Sequence, residues 1–563
     1  MSTGVAGLKL AGGQVHDPLN GIDGAVMDLW IADGRIVAPP QGGRAEREID
    51  LTGKIVMPGG IDLHSHIGGG KVNIARLMLP EDHRAHLHHR HDGCRAGSGH
   101  CSPSTFTTGY AYARMGYTMA FEPAMLPANA RQAHQEMADV PLLDKGAYVL
   151  LGNDDLFLRL VKDGAGPDAI RDYVAWTLHA TQALAVKIVN PGGISAFKFN
   201  GRRLDLDELG PYYGITPRTI LTTLADALTA LGVPHPIHVH GCNLGVAGGD
   251  VTTLATIAGM EGRPIHLTHL QFHSYGREGR AGFSSGAAAI AELVNASPNV
   301  SVDVGQVMFG QTVTASGDTM SQVRNARHAA PKKWVAMDIE CEAGCGVLPF
   351  RYRERNLVNA LQWCVGLELF LLIRDPWRIC LTTDHPNGAP FTTYPHLIRL
   401  LMDRSFRNDM LATIHRGARD LSTLASVERE YTLQESAIVT RAGPARLLGI
   451  QTTHGHLGPG AVADVTVYDD HPDRERMFAH PHLLLKAGQP VMRGGEILAP
   501  GLWGATHVVR PGYDPAIRMR VARFFEQYRD MRLGTFELAD GEIEDGERGR
   551  VIVHACHPAG PSG

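Results

Sequence analysis

One stretch near the N-terminus of this chain reads Val56-Met57-Pro58-Gly59-Gly60-Ile61-Asp62-Leu63-His64-Ser65-His66. His64 and His66 are two positions apart, and side chains at that spacing in a strand point to the same face. Two imidazoles at the end of one strand can bind one metal ion, and Zn²⁺ accepts imidazole nitrogen readily. The stretch therefore predicts a buried strand that ends in a metal site.

The middle of the chain, 59–445, alternates short apolar runs with helical stretches. Helices are predicted at 216–231 and 287–295, and 71–110 is predicted to be an insertion. Strands that alternate with helices indicate parallel βαβ units, and about eight of them fit a closed (β/α)₈ TIM barrel. An open doubly wound sheet is the competing fold, but the glycine fingerprint it favours after its first strand is missing. The apolar runs are 118–121, 148–151, 185–189, 237–239, 265–268, 300–304 and 379–381.

Both ends of the chain are rich in short strands and turns. Residues 1–58 contain an Asp33-Gly34 hairpin signal, and a second strand-rich region covers 446–505. We predict that these two regions form one composite β-sandwich domain. The segment 506–563 carries a predicted helix at 515–531 and has too few apolar residues for a core of its own, so it should pack on the barrel or on a partner subunit.

The stretch that ends in His64 and His66 resembles the amidohydrolase superfamily, whose first barrel strand ends in Pro-Gly-x-Ile-Asp-x-His-x-His. The resemblance implies a metal site at the barrel mouth and a sheet domain built from both termini. It also implies further ligands at the ends of the fourth, fifth, sixth and eighth strands.

Lys187 is the candidate from the fourth strand. It lies inside the apolar run 185–189, where a charged lysine is costly unless it is paired or neutralised. A desolvated lysine can add CO₂ and become a carbamate that bridges two cations. A salt-bridged lysine is the ordinary alternative. We predict that Lys187 is the carboxylated bridge, with Lys198 as the backup candidate.

Two histidine pairs follow in the fifth and sixth strands. His238 and His240 share one face, and His240 lies nearer the strand end, so we predict His240 as the ligand and His238 as a supporting residue, although the order could be reversed. His266 and His269 have opposite parity, so only one can point inward. By the same logic His269 is the predicted ligand.

Asp384 follows the last apolar run and precedes His385-Pro386. An aspartate before a turn is often only a cap. The resemblance instead implies that this aspartate binds metal and transfers the proton. The implied set is His64, His66, Lys187, His240, His269 and Asp384 around two Zn²⁺ that activate water, with Asp384 passing a proton to the leaving nitrogen.

Longer motifs narrow the resemblance. The segments 69–76, 187–193, 238–245, 266–276 and 383–387 are similar to the A subunit of formylmethanofuran dehydrogenase, and equally to the A subunit of the bacterial formyltransferase/hydrolase complex. The resemblance covers essentially the whole chain. It implies a methanofuran-type coenzyme as substrate, other subunits of such a complex as partners, and interconversion of an N-formyl amine with formate plus free amine. Within these motifs Arg76, Asn190, His238, Asn243 and Gln271 are candidate supporting or substrate-contacting residues.

Composition narrows the functional classes. A net charge of −5 without a basic stripe argues against nucleic-acid binding. No membrane span or secretory signal is evident, and eight irregularly spaced cysteines favour a cytoplasmic protein over a disulfide framework. Ten of the 53 basic residues are lysine, and this arginine-rich composition favours the bacterial, hydrolytic version.

Three alternatives remain open. The chain could be the formate-condensing member of a tungsten or molybdenum formylmethanofuran dehydrogenase. It could be a cyclic amidase of the hydantoinase or dihydropyrimidinase type, although the 71–110 insertion argues against this. It could also be a non-catalytic scaffold, although all six ligand positions are present.

Overall fold

The structure is a computed structural model that describes residues 6–90, 94–193, 203–279, 281–339, 343–498, 502–544 and 549–558. Its centre is a ring of eight parallel strands, each paired with the next along the chain. A parallel bridge between Ser65 and His385 joins the last strand to the first, and the His66 amide donates to the His385 carbonyl at 2.9 Å. The predicted (β/α)₈ barrel is confirmed. We number the strands β1 Gly60–Asp62, β2 Tyr117–Met125, β3 Asp144–Leu150, β4 Ala185–Val189, β5 Ile237–His240, β6 Ile265–Leu267, β7 Val300–Asp303 and β8 Ile379–Cys380.

The barrel strands are apolar runs because both of their faces are covered. Every residue of β4 is buried, and its bounds coincide with the predicted run. The helix before β5 begins where a polar cap precedes an apolar periodic segment: Thr216 accepts a hydrogen bond from the Thr219 amide. This helix ends at Gly232, which has a left-handed conformation with φ of 65°. Local sequence thus sets the element bounds near the site.

Helices surround the barrel and extend its loops. The helix predicted at 287–295 is present as Ala287–Ala296. The described α-helices are Gly70–Leu77, Pro80–Ala85, Thr105–Arg114, Ala130–Ala138, Asp155–Lys162, Pro167–Thr181, Pro217–Leu231, Asp250–Gly259, Ala287–Ala296, Thr319–Asn325, Leu357–Leu372, Tyr394–Met402, Arg404–Thr413, Arg416–Asp420, Leu433–Ala437, Gly443–Leu447, Arg474–Ala479, Ile517–Tyr528 and Leu533–Phe536. None of the helices in these ranges is long and apolar enough to cross a membrane.

Two insertions lie on the side where the barrel strands end. The one predicted at 71–110 contains the helices Gly70–Leu77 and Pro80–Ala85. The other follows β7 and was not predicted: it is an antiparallel sheet of the strands Gly310–Ser316, Ala343–Tyr352 and Val335–Ile339, in that order. The insertions share an apolar cluster, so they cover the mouth together.

The two ends of the chain meet in one nine-stranded sheet outside the barrel. Its central contact is antiparallel, between Lys54–Pro58 and Val465–Asp469. The sheet has its own apolar core, which includes Val15 and Leu483 from opposite ends of the chain. The boundaries at 58, 446 and 505 stay predictions. The strands, from one edge to the other, are Glu496–Ile497, Gln489–Arg493, Leu483–Lys486, Val465–Asp469, Lys54–Pro58, Ala6–Asp17, Ile22–Ala32 and Arg35–Val37, with Ala45–Asp50 also paired to Ala6–Asp17.

The C-terminal segment packs on the barrel, next to the start of β3. Its strand Thr506–Val509 pairs with β3 at Lys145 and with Val551–His554. The predicted helix is present as Ile517–Tyr528, and Phe525 contacts Trp176 with ring centroids 6.5 Å apart. The strand therefore lies at the end of the barrel opposite to the candidate ligands, whereas Arg529 reaches Asp154, which follows β3, at 3.5 Å.

Candidate metal centre

The first group of donors lies directly after β1 and β8. The Nε2 atoms of His64 and His66 lie 3.0 and 3.4 Å from Oδ1 of Asp384. All three side chains are buried. Asp62 fixes the turn between the strand and the first histidine, because its Oδ1 accepts from the His64 amide at 3.0 Å and its Oδ2 accepts from the Tyr112 hydroxyl at 2.7 Å. The donor atoms converge closely enough to share one cation.

A second group of donors is formed by His240 at the end of β5, His269 after β6, and His273. The ring centroids of His240 and His269 are 4.7 Å apart. Within the described residues, Nε2 of His240, Nδ1 of His269 and Nε2 of His273 are buried and make no hydrogen bond, although the Asp318 carboxylate lies 3.4 Å from the first of them. Buried, unsatisfied polar atoms are costly, and a metal ion would satisfy them. These nitrogens therefore fit zinc. His273 was not chosen from the sequence because it lies in the 3₁₀ turn Leu270–His273, where strand parity does not apply.

Lys187 lies on β4, next to the second group. The strand register places it opposite His238, and Val189 opposite His240. Burial lowers the pKa of Lys187 to about 7, although the carboxylates of Asp384 and Asp303 oppose that shift. At about pH 7, half of the Lys187 side chains therefore carry an uncharged amine, which is the form that adds CO₂. Lys198, the backup candidate, lies outside the described residues.

Asp384 is held ionised by its neighbours. Burial by itself would raise its pKa, but the charge of His269 and the contacts with His64 and His66 outweigh burial and place the pKa well below the usual value. The Asn387 amide also donates to its Oδ2 at 3.0 Å. The residue has φ of 51°, a left-handed conformation that is strained for residues other than glycine. Asn190 and His269, after β4 and β6, share this conformation with φ of 45° and 37°.

Two buried acids that the sequence analysis did not select orient the candidate ligands. Oε1 of Glu122, on β2, lies 2.8 Å from Nδ1 of His66. Oε2 of Glu122 accepts a hydrogen bond from the Ile67 amide at 2.8 Å. Asp303 at the end of β7 accepts from the His269 amide at 2.9 Å. Groups that bind the outer side of a ligand fix its orientation and tautomer. Glu122 had a signal in the sequence, because it is an acid inside a continuously apolar strand.

Two of the predicted supporting residues, His238 and Asn190, connect to the candidate ligands, and a third, Gln271, is buried in the turn between His269 and His273. His238 Nε2 is 2.8 Å from Nδ1 of His64. Gln271 accepts from the Tyr275 hydroxyl at 3.1 Å, and its Nε2 makes no hydrogen bond to a described residue. Asn190 donates to Asp318 at 3.2 Å, and that carboxylate lies 3.4 Å from Nε2 of His240.

The other two predicted supporting residues anchor loops. Arg76 donates from Nε, Nη1 and Nη2 to Pro103, Asn73 and Ile67, each at 2.9 Å. Asn243 bonds the backbone of Leu204 through both its oxygen and its amide nitrogen. Arg76 and Asn243 therefore hold the loops at the barrel mouth in place. These hydrogen bonds join them to other residues of the chain.

A third cluster lies at the opposite end of the barrel. Asp144 at the start of β3, His454 and His507 bring three donor atoms together. The Lys486 ammonium already lies 2.6 Å from Asp144 and 2.7 Å from Asp464. A lysine therefore supplies the positive charge here, and the cluster joins the barrel, the terminal sheet and the C-terminal segment.

The closed barrel, the ligand positions at its strand ends and the sheet built from both termini define the class of protein. The chain belongs to the amidohydrolase family, whose model matches residues 47–497.

Two relatives and one solved structure narrow the class. The chain is 45% identical over 546 residues to the A subunit of the formyltransferase/hydrolase complex Fhc of Methylorubrum extorquens, covering 95% of this chain and 97% of that protein. It is 40% identical over 549 residues to protein FwdA of Methanocaldococcus jannaschii, covering 94% and 96%. The crystal structure of the FhcABCD complex from Methylorubrum extorquens with methylofuran matches with a TM-score of 0.92 and 44% identity, over 98% of this chain and 100% of that chain. The resemblance predicted from the motifs is confirmed.

Proposed function

We propose that this chain is the hydrolytic subunit of a formyltransferase/hydrolase complex in one-carbon metabolism. Its substrate is an N-formyl-aminomethylfuran coenzyme, and its products are formate and the free amine. The observation that carries the proposal is the convergence of the candidate donors from β1, β5, β6 and β8 at one barrel mouth, next to Lys187. The relative from the Fhc complex and the methylofuran in the similar crystal structure support the substrate and the partner subunits.

The two donor groups would hold two zinc ions. His64, His66 and Asp384 would hold one, and His240 and His269 the other, with His273 as an additional candidate. Lys187 would bridge them as a carbamate, formed when its neutral Nζ adds CO₂ and releases one proton. When bound, the zinc ions polarise the formyl oxygen and make water a stronger acid.

Asp384 is the residue that moves the proton. Its carboxylate is ionised and lies 3.0 and 3.4 Å from Nε2 of His64 and His66, so it can accept a proton from the attacking water. The nitrogen of a formamide is a poor leaving group unless it is protonated. Asp384 therefore delivers the proton to that nitrogen, and the coenzyme leaves as a neutral amine while Asp384 returns to its ionised form.

Formate release by the complex that co-purifies with this chain tests the proposal. We expect release of formate from the N-formyl coenzyme, two zinc ions per chain by elemental analysis, and a formyltransferase subunit identified by mass spectrometry. The His64→Ala variant should lose zinc and formate release together. Turnover of hydantoin or dihydrouracil would favour a cyclic amidase instead. Tungsten or molybdenum in the complex would favour the formate-condensing alternative, and a zinc-free chain would indicate a scaffold.

A further inference from the structure

A line of three imidazoles runs through the barrel interior to the candidate metal centre. His235, which precedes β5, lies with Nδ1 2.9 Å from the Leu447 carbonyl oxygen and Nε2 3.0 Å from Nδ1 of His238. His238 in turn lies with Nε2 2.8 Å from Nδ1 of His64. All three side chains are fully buried. The other nitrogen of His64, Nε2, lies 3.0 Å from Oδ1 of Asp384 at the mouth.

The carbonyl at the far end of this line determines where each hydrogen lies. A carbonyl oxygen only accepts, so Nδ1 of His235 carries the hydrogen. Burial lowers the pKa of His235 to about 3, so the ring is neutral and its Nε2 is an acceptor. His238 must then donate from Nδ1, which leaves its Nε2 as an acceptor for the Nδ1 hydrogen of His64.

The structure thus assigns His235 and His238 as positioning residues that fix the tautomer of His64, so that its Nε2 presents a lone pair to a metal ion. A histidine ligand binds through an unprotonated nitrogen, and the partner of its other nitrogen decides which nitrogen that is. The Asp303 carboxylate, 3.5 Å from Nδ1 of His64, favours the same tautomer, and the Thr268 hydroxyl also contacts Nδ1. The Asp384 carboxylate, 3.0 Å from Nε2, competes for the hydrogen until a metal ion occupies the position between them. In the opposite tautomer the His64 hydrogen would point at the metal position.

Substitution of His235 tests the assignment through zinc affinity, which needs no substrate. The inference rests on the zinc centre of the proposed function. His235→Phe keeps a ring but removes the acceptor for His238, and we expect zinc to bind about 10–100-fold more weakly in competition with a chelator. His235→Gln keeps an acceptor and should restore affinity to within about threefold of wild type.

A matched control removes a buried histidine side chain that lies outside the line of three imidazoles. His134 is buried and its Nε2 lies 3.0 Å from the Thr181 carbonyl, but it does not belong to the line. His134→Phe should leave zinc affinity unchanged. Wild-type affinity in a folded His235→Phe protein would overturn the inference, whereas absence of zinc from the wild type would overturn the proposed function.

Neutron diffraction of the wild-type protein gives a second test that does not depend on how the variants fold. We expect deuterium on Nδ1 of His235, His238 and His64. Deuterium on Nε2 of His238, or its absence from Nδ1 of His64 in the zinc-bound protein, would overturn the assignment.

Discussion

Each end of the barrel buries a cluster of histidines and carboxylates, and the two clusters differ in how their charge is balanced. Near the start of β3, Lys486 lies between Asp144 and Asp464, and the contacts raise its pKa above the usual value although burial opposes them. At the mouth, burial instead lowers the pKa of Lys187. Three buried ring nitrogens there make no hydrogen bond to described residues, against one, Nε2 of His507, in the opposite cluster. The same residue types therefore form a structural junction at one end and a candidate metal centre at the other.

The sharpest test of this contrast is a pair of matched carboxylate substitutions. Asp384→Asn removes the proposed proton acceptor at the mouth and should lower kcat for formate release about 10³-fold. Asp144→Asn removes a buried carboxylate from the opposite end and should leave kcat of the folded protein unchanged. Equal losses of kcat in the two variants, measured on the assembled complex, would contradict the division of roles.

The junction should respond to loss of its cation. Lys486→Met leaves Asp144 and Asp464 buried without their partner, and we expect the free energy of unfolding to fall by about 3–5 kcal/mol. Lys54→Met breaks a partly exposed pair with Asp469 at 2.6 Å and should cost less than about 1 kcal/mol. Urea titrations of both variants give the comparison. Loss of zinc from Lys486→Met at unchanged stability would instead place a metal at this end.

The mouth should be sensitive to a small steric change. Gly305 has φ of 63°, and a Cβ added there would lie 2.4 Å from Cβ of His269. Gly164 has a similar φ of 67° but no atom within 4 Å of an added Cβ. Gly305→Ala should therefore cost about 1–3 kcal/mol more than Gly164→Ala in thermal or urea unfolding, and it should also reduce bound zinc. Equal stability and zinc content in both variants would show that His269 tolerates displacement.

The smallest expected effect is a pH dependence at Lys187. Its pKa is lowered to about 7, so the amine is neutral above that pH and increasingly an ammonium below it. The fraction able to add CO₂ falls about tenfold per pH unit well below this pKa. Recovery of activity by metal-free protein with zinc and bicarbonate should rise through about pH 7. A recovery rate that is flat from about pH 6 to 8, or is independent of bicarbonate, would argue against the carbamate.

Strand parity explains the first histidine pair but not His269. His64 and His66 share a face of an extended segment, and the residues at a strand end lie at the mouth, so their proximity follows from local geometry. His266 also faces the barrel interior, 3.1 Å from Asp303, and His269 lies beyond the strand end with φ of 37°.

His273 could not be predicted from strand parity because it lies in a 3₁₀ turn. Asp318 belongs to the insertion after β7, and only the folded chain brings it to His240.

Motif membership does not by itself tell what a side chain does. Arg76 and Asn243 lie in stretches that resemble the family, yet their side chains hold loops together. A motif contains residues that the fold needs and residues that the chemistry needs, and the sequence does not show which is which. The polar partners of a side chain distinguish the two roles, and those partners depend on tertiary contacts.

The terminal sheet has a consequence for how the chain is made. Lys54–Pro58 leads directly into β1, yet its antiparallel neighbour Val465–Asp469 is synthesised about 400 residues later. At roughly 5–20 residues per second, the ribosome leaves that edge of Lys54–Pro58 without its native partner for roughly 20–80 s. An exposed strand edge is a template for intermolecular pairing. Nascent chains of this protein should therefore depend on chaperone binding near the N-terminus until the C-terminal strands emerge.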